Sequence, residues 1–346
     1  MFRPTFCDRR PITSPAWLLR RFRAVQSFLR RGGAMWVCAL GLVALPGSAA
    51  EVAYAPGHCY FGRSNYIEYI AGDMPVIFSV PHGGELTPPE IPDRQPAARF
   101  PDYATISDAY TEELALALHQ TFRDYFGHSP HVIICRLKRT KVDCNREIEE
   151  AAGTNALARQ AWHEFHDYIN SAARAVVAGT GRGLYIDLHG QSHPLKRVEL
   201  GYLLSARLLT NSDAVLNQPG YASGSSLRVL AAEVRVPFSE LLRGSNSLGG
   251  LLLAQGYPSL PDPAMPSPWG AANATVAPDE AALYFSGGYN TRRHSAAGQG
   301  GPIDGVQLEA NLEGVRDTAV NRTNFSLALA ATLDRFFAAH YRMNLK

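Results

Sequence analysis

The chain has 346 residues, of which 46% are hydrophobic, so it is long enough to bury a large core in one α/β domain. Its formal net charge is +2, but the first 50 residues contain eight arginines and one acidic residue. The rest of the chain therefore carries 25 basic and 30 acidic side chains, a net charge of −5. This excess of acid excludes an extended basic surface for nucleic acid and favours a small-molecule or peptide partner.

The amino-terminal 50 residues have the pattern of a secretory signal. Several arginines precede an apolar run at 34–45, and small residues lie just before Glu51. The run is too short for a comfortable membrane span. We therefore expect residues 1–50 to be a leader, residues 51–346 to form a single catalytic domain, and the mature protein to be periplasmic or secreted. An uncleaved membrane anchor and export through the Arg30–Arg31 pair are the alternatives.

Three cysteines, Cys59, Cys135 and Cys144, lie beyond the leader. An oxidising compartment permits one disulfide bond, and Cys135 and Cys144 could form it if their segments are neighbouring strands. Three isolated buried thiols are the alternative. Because no two cysteines have CxxC spacing, the sequence does not support a zinc knuckle or a thioredoxin-like redox site.

Predicted strands and helices alternate along the chain. Buried strands are predicted at 75–80, 131–137, 183–189, 199–205 and 306–312, and helices at 107–126, 155–177 and 317–340. Ser107 is the predicted N-cap of the first helix. The stretch 256–304, rich in proline and glycine, is predicted to be a long loop-rich insertion. This alternation predicts an α/β fold with a single mixed or mostly parallel sheet flanked by helices.

Histidines and carboxylates occur where these predicted strands end. His82 and Glu85 form an HxxE pair after the first strand, and His189 ends the strand at 183–189. Ligands bind at the carboxyl ends of strands in such sheets. Two imidazoles and one carboxylate with an open fourth position are typical of catalytic zinc. We predict one zinc ion held by His82, Glu85 and His189; a structural histidine, a chance HxxE pair and His193 as a competing ligand are the alternatives.

Residues next to these histidines have predicted supporting roles. Asp187 precedes His189 by two residues on the same strand, so both side chains point to one side and the carboxylate could orient the imidazole. Gly83, Gly84 and Gly190 would leave space for a metal ion and its water.

Glu309, in the strand at 306–312, is the predicted general base. Zinc-dependent hydrolysis needs a group that accepts a proton from the attacking water. A carboxylate inside an apolar strand is costly unless it has a specific partner or task. The alternative is a buried ion pair between Glu309 and Arg316 or Arg322.

A cluster of basic residues at 136–146 is the predicted substrate-binding segment. Asn145 and Arg146 place an amide beside a guanidinium group, which is suited to a carboxylate. Arg243 is a further candidate for the same pocket. The alternative is a charged face that is simply solvated.

Four motifs resemble those of the N-formylglutamate amidohydrolase family, whose fold is related to zinc carboxypeptidases. They are "VPHGG", "LKRTKVDCNRE", "YIDLHGQSH" and "GVQLEANLEGVRDTAVNR", and the resemblance extends from about Val76 to the carboxyl-terminal helix. It implies His82, Glu85 and His189 as zinc ligands, Glu309 as general base, Asn145 and Arg146 as carboxylate-binding residues, Arg139 as the group that polarises the scissile carbonyl, and Tyr289 as a mobile tyrosine.

The resemblance implies a zinc-dependent amidohydrolase that cleaves an N-acyl amino acid or a carboxylate-bearing peptide. Gly83 stands where family members often have serine, and the 256–304 insertion is unlike their compact enzymes. Because an exported protein is separated from histidine catabolism, we expect a substrate other than formylglutamate. A peptidoglycan amidase, a metallocarboxypeptidase and a non-catalytic carboxylate-binding protein are the alternative functions.

Overall fold

An eight-stranded mixed sheet is the centre of the structure, a computed structural model that describes residues 53–97, 99–100, 103–269 and 283–346. The chain divides into two units, Met1–Tyr54 and Ala55–Lys346, and the sheet belongs to the second. The leader expected at 1–50 lies outside the described residues.

The strands follow the order β1-β2-β4-β3-β5-β8-β6-β7 across the sheet. Their bounds are β1 Cys59–Phe61, β2 Ile67–Ile70, β3 Val76–Val80, β4 His131–Cys135, β5 Gly183–Gln191, β6 Val198–Gly201, β7 Ser259–Leu260 and β8 Ile303–Asn311. The four central strands, β4, β3, β5 and β8, are parallel, so their carboxyl ends meet at one edge. The predicted single mixed sheet is confirmed.

Helices follow or connect most of these strands. Their bounds are α1 Thr111–Phe126, α2 Ile148–Ala152, α3 Ala156–Thr180, α4 Ala206–Leu209, α5 Asp213–Leu216, α6 Pro219–Gly224, α7 Arg228–Glu233, α8 Phe238–Arg243, α9 Leu248–Ala254, α10 Tyr289–His294 and α11 Ala319–Phe336. Among the residues that the structure describes, no helix is both long and apolar enough to span a bilayer.

Apolar side chains cover both faces of the sheet. On one face, α1 packs on β3, where the rings of Phe78 and Phe122 meet edge to face with centroids 5.5 Å apart, and α11 packs against α1. On the other face, α3 packs across β2 to β5. Because β3 and β4 are buried on both sides, their sequences are continuous apolar runs rather than alternating ones.

Helix α1 begins at Thr111, four residues later than the sequence indicated. Ser107 does not cap it, because the Ser107 hydroxyl is buried without a hydrogen-bond partner. The N-cap is instead Tyr110, which has a left-handed backbone with φ of 66°. The four residues before the helix thus form a loop that carries Asp108 to the end of β3, where the Asp108 amide donates to the His82 carbonyl at 3.0 Å.

Two further expectations concern loops and cysteines. The segment 256–304 contains β7 and α10, although residues 270–282 lie outside the described part. Cys135 and Cys144 are both buried and free, so they form no disulfide bond with each other.

Asp304 fastens the amino end of β8, the strand that carries Glu309. Its carboxylate accepts hydrogen bonds from the amides of Val229 and Leu230 at the start of α7, each at 3.1 Å, and from the Tyr341 hydroxyl at 3.2 Å. Burial raises the pKa of Asp304 from 3.8 to about 6 despite these donors. The folded state therefore binds more protons than the unfolded state between about pH 4 and 6, and stability falls as the pH rises through that window.

We expect Asp304→Asn to remove this component of the pH dependence. A pKa difference of about 2 units corresponds to about 3 kcal/mol. The wild-type free energy of unfolding should therefore fall by up to that amount relative to the variant between about pH 4 and 7. Urea unfolding of both proteins across this range measures the difference, and parallel pH profiles would contradict the prediction.

Candidate metal centre and active site

His82 and His189 meet at the edge where the parallel strands end. His82 follows β3 by two residues, and His189 lies near the end of the neighbouring strand β5. Both side chains are buried, and their rings contact edge to face with centroids 4.9 Å apart. The sequence-predicted pair of imidazoles is therefore brought together by two rigid strands.

The third member of the group is Asp108. Its Oδ2 lies 3.1 Å from Nδ1 of His189 and 3.5 Å from Nδ1 of His82, and it also accepts the Gly190 amide at 3.1 Å. One ligand atom from each of these side chains lies within 4.8 Å of the others. Within the described ranges, no other group of three or more histidine, cysteine, aspartate or glutamate side chains meets this criterion.

The spacing of these atoms fits a small divalent cation. With bonds of about 2.0–2.1 Å to zinc, two ligands in a tetrahedron lie about 3.3 Å apart, close to the two distances that Asp108 makes. Nδ1 of His82 is buried and has no hydrogen-bond partner, which is costly for a polar atom. The donor set of two imidazoles and one carboxylate therefore fits a metal ion, and His82, Asp108 and His189 are the residues that could hold it.

Two further carboxylates hold the opposite nitrogens of the imidazoles. Nε2 of His82 lies 2.7 Å from Oδ1 of Asp143, and Nε2 of His189 lies 3.0 Å from Oδ2 of Asp187. A carboxylate accepts a proton from the nitrogen that it faces, so both Nε2 atoms are the protonated ones. Nδ1 of His82 can then offer its lone pair to a metal ion, in the arrangement that outer carboxylates commonly impose on metal-binding histidines. Nδ1 of His189 also faces a carboxylate, that of Asp108, and would release its proton when it binds a metal ion.

The pKa values show how strongly these charges depend on one another. Burial disfavours the charged form of His189, but the carboxylates of Asp187 and Asp108 outweigh it and hold the pKa of His189 well above its ordinary value. Burial likewise raises the pKa of Asp108, and the nearby imidazoles of His189 and His82 more than reverse the effect, so the Asp108 carboxyl is ionised. A buried cluster of this kind is stable only as a paired unit.

Glu309 lies beside this group on β8. It is the direct register neighbour of His189 across β5 and of Glu199 across β6, and its Oε1 accepts a hydrogen bond from Gln307 at 2.5 Å. Burial raises the pKa of Glu309 to about 8, and the nearby carboxylates of Asp108 and Glu199 add to this, whereas His189 opposes it.

Neither arginine considered as an ion-pair partner bonds to Glu309. The Arg316 guanidinium donates to the carbonyls of Ala109, Ala310 and Gln191, and Arg322 donates to the carbonyl of Arg316. Among the described side chains, no ion pair joins either arginine to the carboxylate.

Glu85 is placed away from the metal group. Its side chain is 68% exposed, and its carboxylate lies 3.5 Å from Nζ of Lys138. The chain turns outward after Gly84 because the amide of Leu86 bonds to the carbonyl of Arg136. The structure therefore does not bring Glu85 to the two histidines. The carboxylate beside them belongs to Asp108 instead of Glu85.

The glycines near the two histidines allow other segments of the chain to pack closely against them. A Cβ at Gly84 would lie 2.2 Å from the backbone of Arg136, and one at Gly190 would lie 2.5 Å from Cζ of Arg316. A Cβ at Gly83 would meet the start of α1. The space that these residues leave is thus filled by neighbouring segments rather than left for a metal ion, which differs from the role that the sequence suggested.

Arg139 lies next to the metal group. Its Nε donates to Asp143 at 2.9 Å, its Nη1 donates to the Ile106 carbonyl at 3.2 Å, and Nη1 lies 4.0 Å from Oδ1 of Asp108. A largely buried positive charge therefore borders the site.

Asn145 and Arg146 are tied to protein partners. Asn145 is buried, its Oδ1 accepts the Asn290 amide at 2.8 Å, and its Nδ2 lies 3.4 Å from Nε2 of His189. Arg146 donates from Nε to Glu150 at 3.2 Å and from Nη1 to the Asn145 carbonyl at 2.9 Å. Asn145 therefore supports the site from within, while the partly exposed Arg146 can reach a substrate only by exchanging Glu150 for it.

Tyr289 and Arg243 have different surroundings. Tyr289 begins α10 next to Asn290, and its hydroxyl accepts from Arg293 at 2.9 Å and lies 3.4 Å from Glu147. Arg243 donates to Asp213 and to the carbonyls of Leu209, Asn211 and Pro266. None of these Arg243 partners belongs to the metal group, so Arg243 is not joined to the site. Tyr289 lies near the site, because its neighbour Asn290 bonds to Asn145.

Other histidines of the chain have partners elsewhere. His193, the competing ligand, bonds through Nδ1 to Glu199 at 2.8 Å and stacks on the ring of Phe285. Burial lowers the pKa values of His166 and His294, which bond to each other at 2.7 Å. These histidines stay outside the metal group.

Comparison with solved structures finds similar folds at low sequence identity. An N-formylglutamate amidohydrolase from Ralstonia eutropha JMP134 is 12% identical with a TM-score of 0.44, over 80% of this chain and 97% of that chain. A gene product from Agrobacterium tumefaciens is 12% identical with a TM-score of 0.41, over 79% and 95%. No protein-family model and no curated protein sequence matches the chain.

Asp108 and Asp143 are the site residues that sequence reasoning missed. Asp108 falls within the predicted helix start, because serine and aspartate before an amphipathic segment are common there. Asp143 falls within the predicted basic cluster at 136–146. One sequence feature could have indicated Asp143: it lies in Asp143-Cys144-Asn145, a cysteine with one polar residue on each side, soon after a predicted buried strand.

We expect Asp108→Asn to weaken zinc binding by more than the roughly 10- to 100-fold that loss of an outer hydrogen-bond partner costs, because it removes a charged ligand. Glu85→Gln is the matched control: it neutralises an exposed carboxylate and should leave zinc binding unchanged. Chelator competition on both purified variants measures the dissociation constants. Loss of zinc from Glu85→Gln with retention in Asp108→Asn would restore the HxxE ligand set.

Proposed function

We propose that the protein is a zinc-dependent amidohydrolase that cleaves the amide bond of an N-acyl amino acid or a carboxylate-bearing peptide, and that it acts in the periplasm or outside the cell. The observation that carries this proposal is the convergence of both imidazole Nδ1 atoms on Asp108 while carboxylates hold both Nε2 atoms. The location rests on the signal-like pattern of residues 1–50.

His82, Asp108 and His189 would hold the ion. When bound, a zinc ion polarises a substrate carbonyl and lowers the pKa of water. The chain contributes the orientation: Asp143 and Asp187 keep the Nε2 protons in place, so both rings present Nδ1 to the same point. Asp187 lies on β5 beside His189, and buried Asp143 lies in the loop after β4; such fixed support suits a site that must keep its geometry through a reaction.

Glu309 would serve as the general base. It would accept a proton from the attacking water as the carbon–oxygen bond forms, and it would pass the proton to the amine nitrogen as the carbon–nitrogen bond breaks. A carboxyl group with a pKa of about 8 holds a proton at neutral pH. A divalent cation beside it stabilises its negative charge and lowers that pKa, which would leave the base active only when the site is loaded.

Two arginines would act on the substrate. Arg139, already bonded to Asp143, would stabilise the negative charge that develops on the carbonyl oxygen. Arg146 would bind the substrate carboxylate with its guanidinium group in place of Glu150. This exchange replaces one carboxylate partner by another, so the arginine keeps a counter-charge before and after binding.

Glu309→Gln should lower kcat by about 10²–10⁴-fold, because the amide cannot accept the proton. Zinc content should not change, since Glu309 is not a ligand. Glu313→Gln is the control, because Glu313 is exposed and pairs only with Lys196 among the described residues. Initial rates with N-formyl, N-acetyl and peptidyl amino acids measure the effect. Unchanged hydrolysis by zinc-loaded Glu309→Gln would exclude it as the base.

Arg146→Ala should lower kcat/KM by roughly 10- to 100-fold for substrates with a free carboxylate, the size expected for one charge-assisted hydrogen bond. The same substrates with an amide in place of the carboxylate should be unaffected. Arg243→Ala is the control arginine. Wild-type activity of Arg146→Ala on the carboxylate-bearing substrates would favour the peptidoglycan amidase.

The same substrate panel separates the remaining alternatives. Preference for peptidyl over N-formyl or N-acetyl substrates would favour a metallocarboxypeptidase, which also reads a free carboxylate. Tight binding without turnover in zinc-loaded protein would favour a carboxylate-binding protein.

A further inference from the structure

Asn290, on the first turn of α10, lies behind the metal group. Its side chain is fully buried, and its Nδ2 donates to Oδ1 of Asp187 at 3.3 Å. Asp187 in turn holds Nε2 of His189 through its other oxygen at 3.0 Å. Asn290 is therefore two hydrogen bonds away from the His189 ring, on the Nε2 side opposite the candidate ligand atom Nδ1.

The amide of Asn290 can take only one orientation. If it were turned over, its oxygen would face the Asp187 carboxylate, which offers no proton. In the observed orientation, Oδ1 of Asn290 is buried without a partner. A buried polar atom without a partner is destabilising, whereas an apolar side chain of similar size would avoid that cost. The retained amide thus points to a task for Nδ2.

That task concerns Oδ1 of Asp187, the carboxylate oxygen that does not face His189. Oδ1 accepts from the Ser79 hydroxyl at 2.7 Å and from the Tyr185 hydroxyl at 3.3 Å as well as from Asn290. Ser79 and Tyr185 belong to β3 and β5, the strands that also lead to the histidines. Of the three donors, only Asn290 comes from outside the sheet.

The backbone at Asn290 also holds a second side chain that contacts the same imidazole. Its amide donates to Oδ1 of Asn145 at 2.8 Å, and Nδ2 of Asn145 lies 3.4 Å from Nε2 of His189. The chain approaches so closely that a Cβ at Gly288 would lie 2.7 Å from Nδ2 of Asn145. The start of α10, which also carries Tyr289, therefore packs directly against Asn145 and Asp187, the residues that contact His189.

We propose that Asn290 is a positioning residue that fixes the Asp187 carboxylate behind His189 and thereby sets how tightly the site holds its metal ion. This inference rests on the metal binding in the proposed function. Because the contact acts through Asp187, Asn290 touches neither the ion nor the substrate.

The test compares Asn290→Leu with Thr291→Val. The leucine keeps the backbone bond to Asn145 but removes the donor to Asp187. Thr291 is the adjacent residue, is also fully buried, and has a hydroxyl without a partner, so valine there is a matched control for disturbance of α10. Chelator competition with Zn²⁺ should give about tenfold weaker binding for Asn290→Leu, the lower end for an outer partner. Binding to Thr291→Val should stay within about twofold of wild type.

A spectroscopic readout and a double variant separate positioning from general damage. Cobalt-substituted Asn290→Leu should have an altered visible absorption spectrum, since the His189 ring is less well fixed, whereas Thr291→Val should keep the wild-type spectrum. Asp187→Asn combined with Asn290→Leu should bind Zn²⁺ no more weakly than Asp187→Asn alone, because the two residues act in one chain of contacts. If Asn290→Leu does not fold, Asn290→Ser, which is too short to reach Asp187, replaces it in each comparison.

Wild-type zinc affinity and an unchanged cobalt spectrum in Asn290→Leu would overturn the inference, and so would fully additive losses in the double variant. Those outcomes leave the proposed function intact if the wild-type protein binds zinc. A wild-type protein that binds neither Zn²⁺ nor Co²⁺ would overturn both.

Discussion

The Asp108 carboxylate, placed between two buried imidazoles, is the interaction on which the rest of the site depends. Two neutral or positively charged rings at this spacing, removed from water, need a negative partner or a metal ion. Asp108 supplies the charge, the Gly190 amide fixes its oxygen, and Asp143 and Asp187 balance the far sides of the rings. Each of these three carboxylates is therefore paired with at least one of the two histidines.

The sheet supplies the precision that such a cluster requires. β3, β5 and β8 are parallel neighbours, so His82, His189 and Glu309 emerge at the same edge from strands that are buried on both faces. The loop before α1 brings Asp108 to that edge, and the loop after β4 brings Asp143. Rigid strands thus position the imidazoles, Glu309 and Asp187, while loops position Asp108 and Asp143.

Local sequence patterns predicted the strands and the residues at their ends, but not the contacts between loops. The apolar runs of β3, β5 and β8 identified buried strands, and parallel strands necessarily bring His82, His189 and Glu309 together. Glu85 was assigned by spacing alone, and the pairing of Leu86 with the Arg136 segment turns it toward solvent. Asp108 lies 81 residues from His189, and nothing in its local sequence encodes that contact.

The buried Arg316 side chain bears on how fast the site could exchange its contents. Its guanidinium group bonds at once to the carbonyl that follows Asp108, to the end of β5 and to the end of β8. Movement of the backbone at Asp108 away from the histidines would loosen these three contacts, so release of a bound ion by that movement would require several hydrogen bonds to break together. A bound ion would then dissociate slowly, whatever its equilibrium affinity. A loaded protein would keep its ion through dilution and brief exposure to competing chelators.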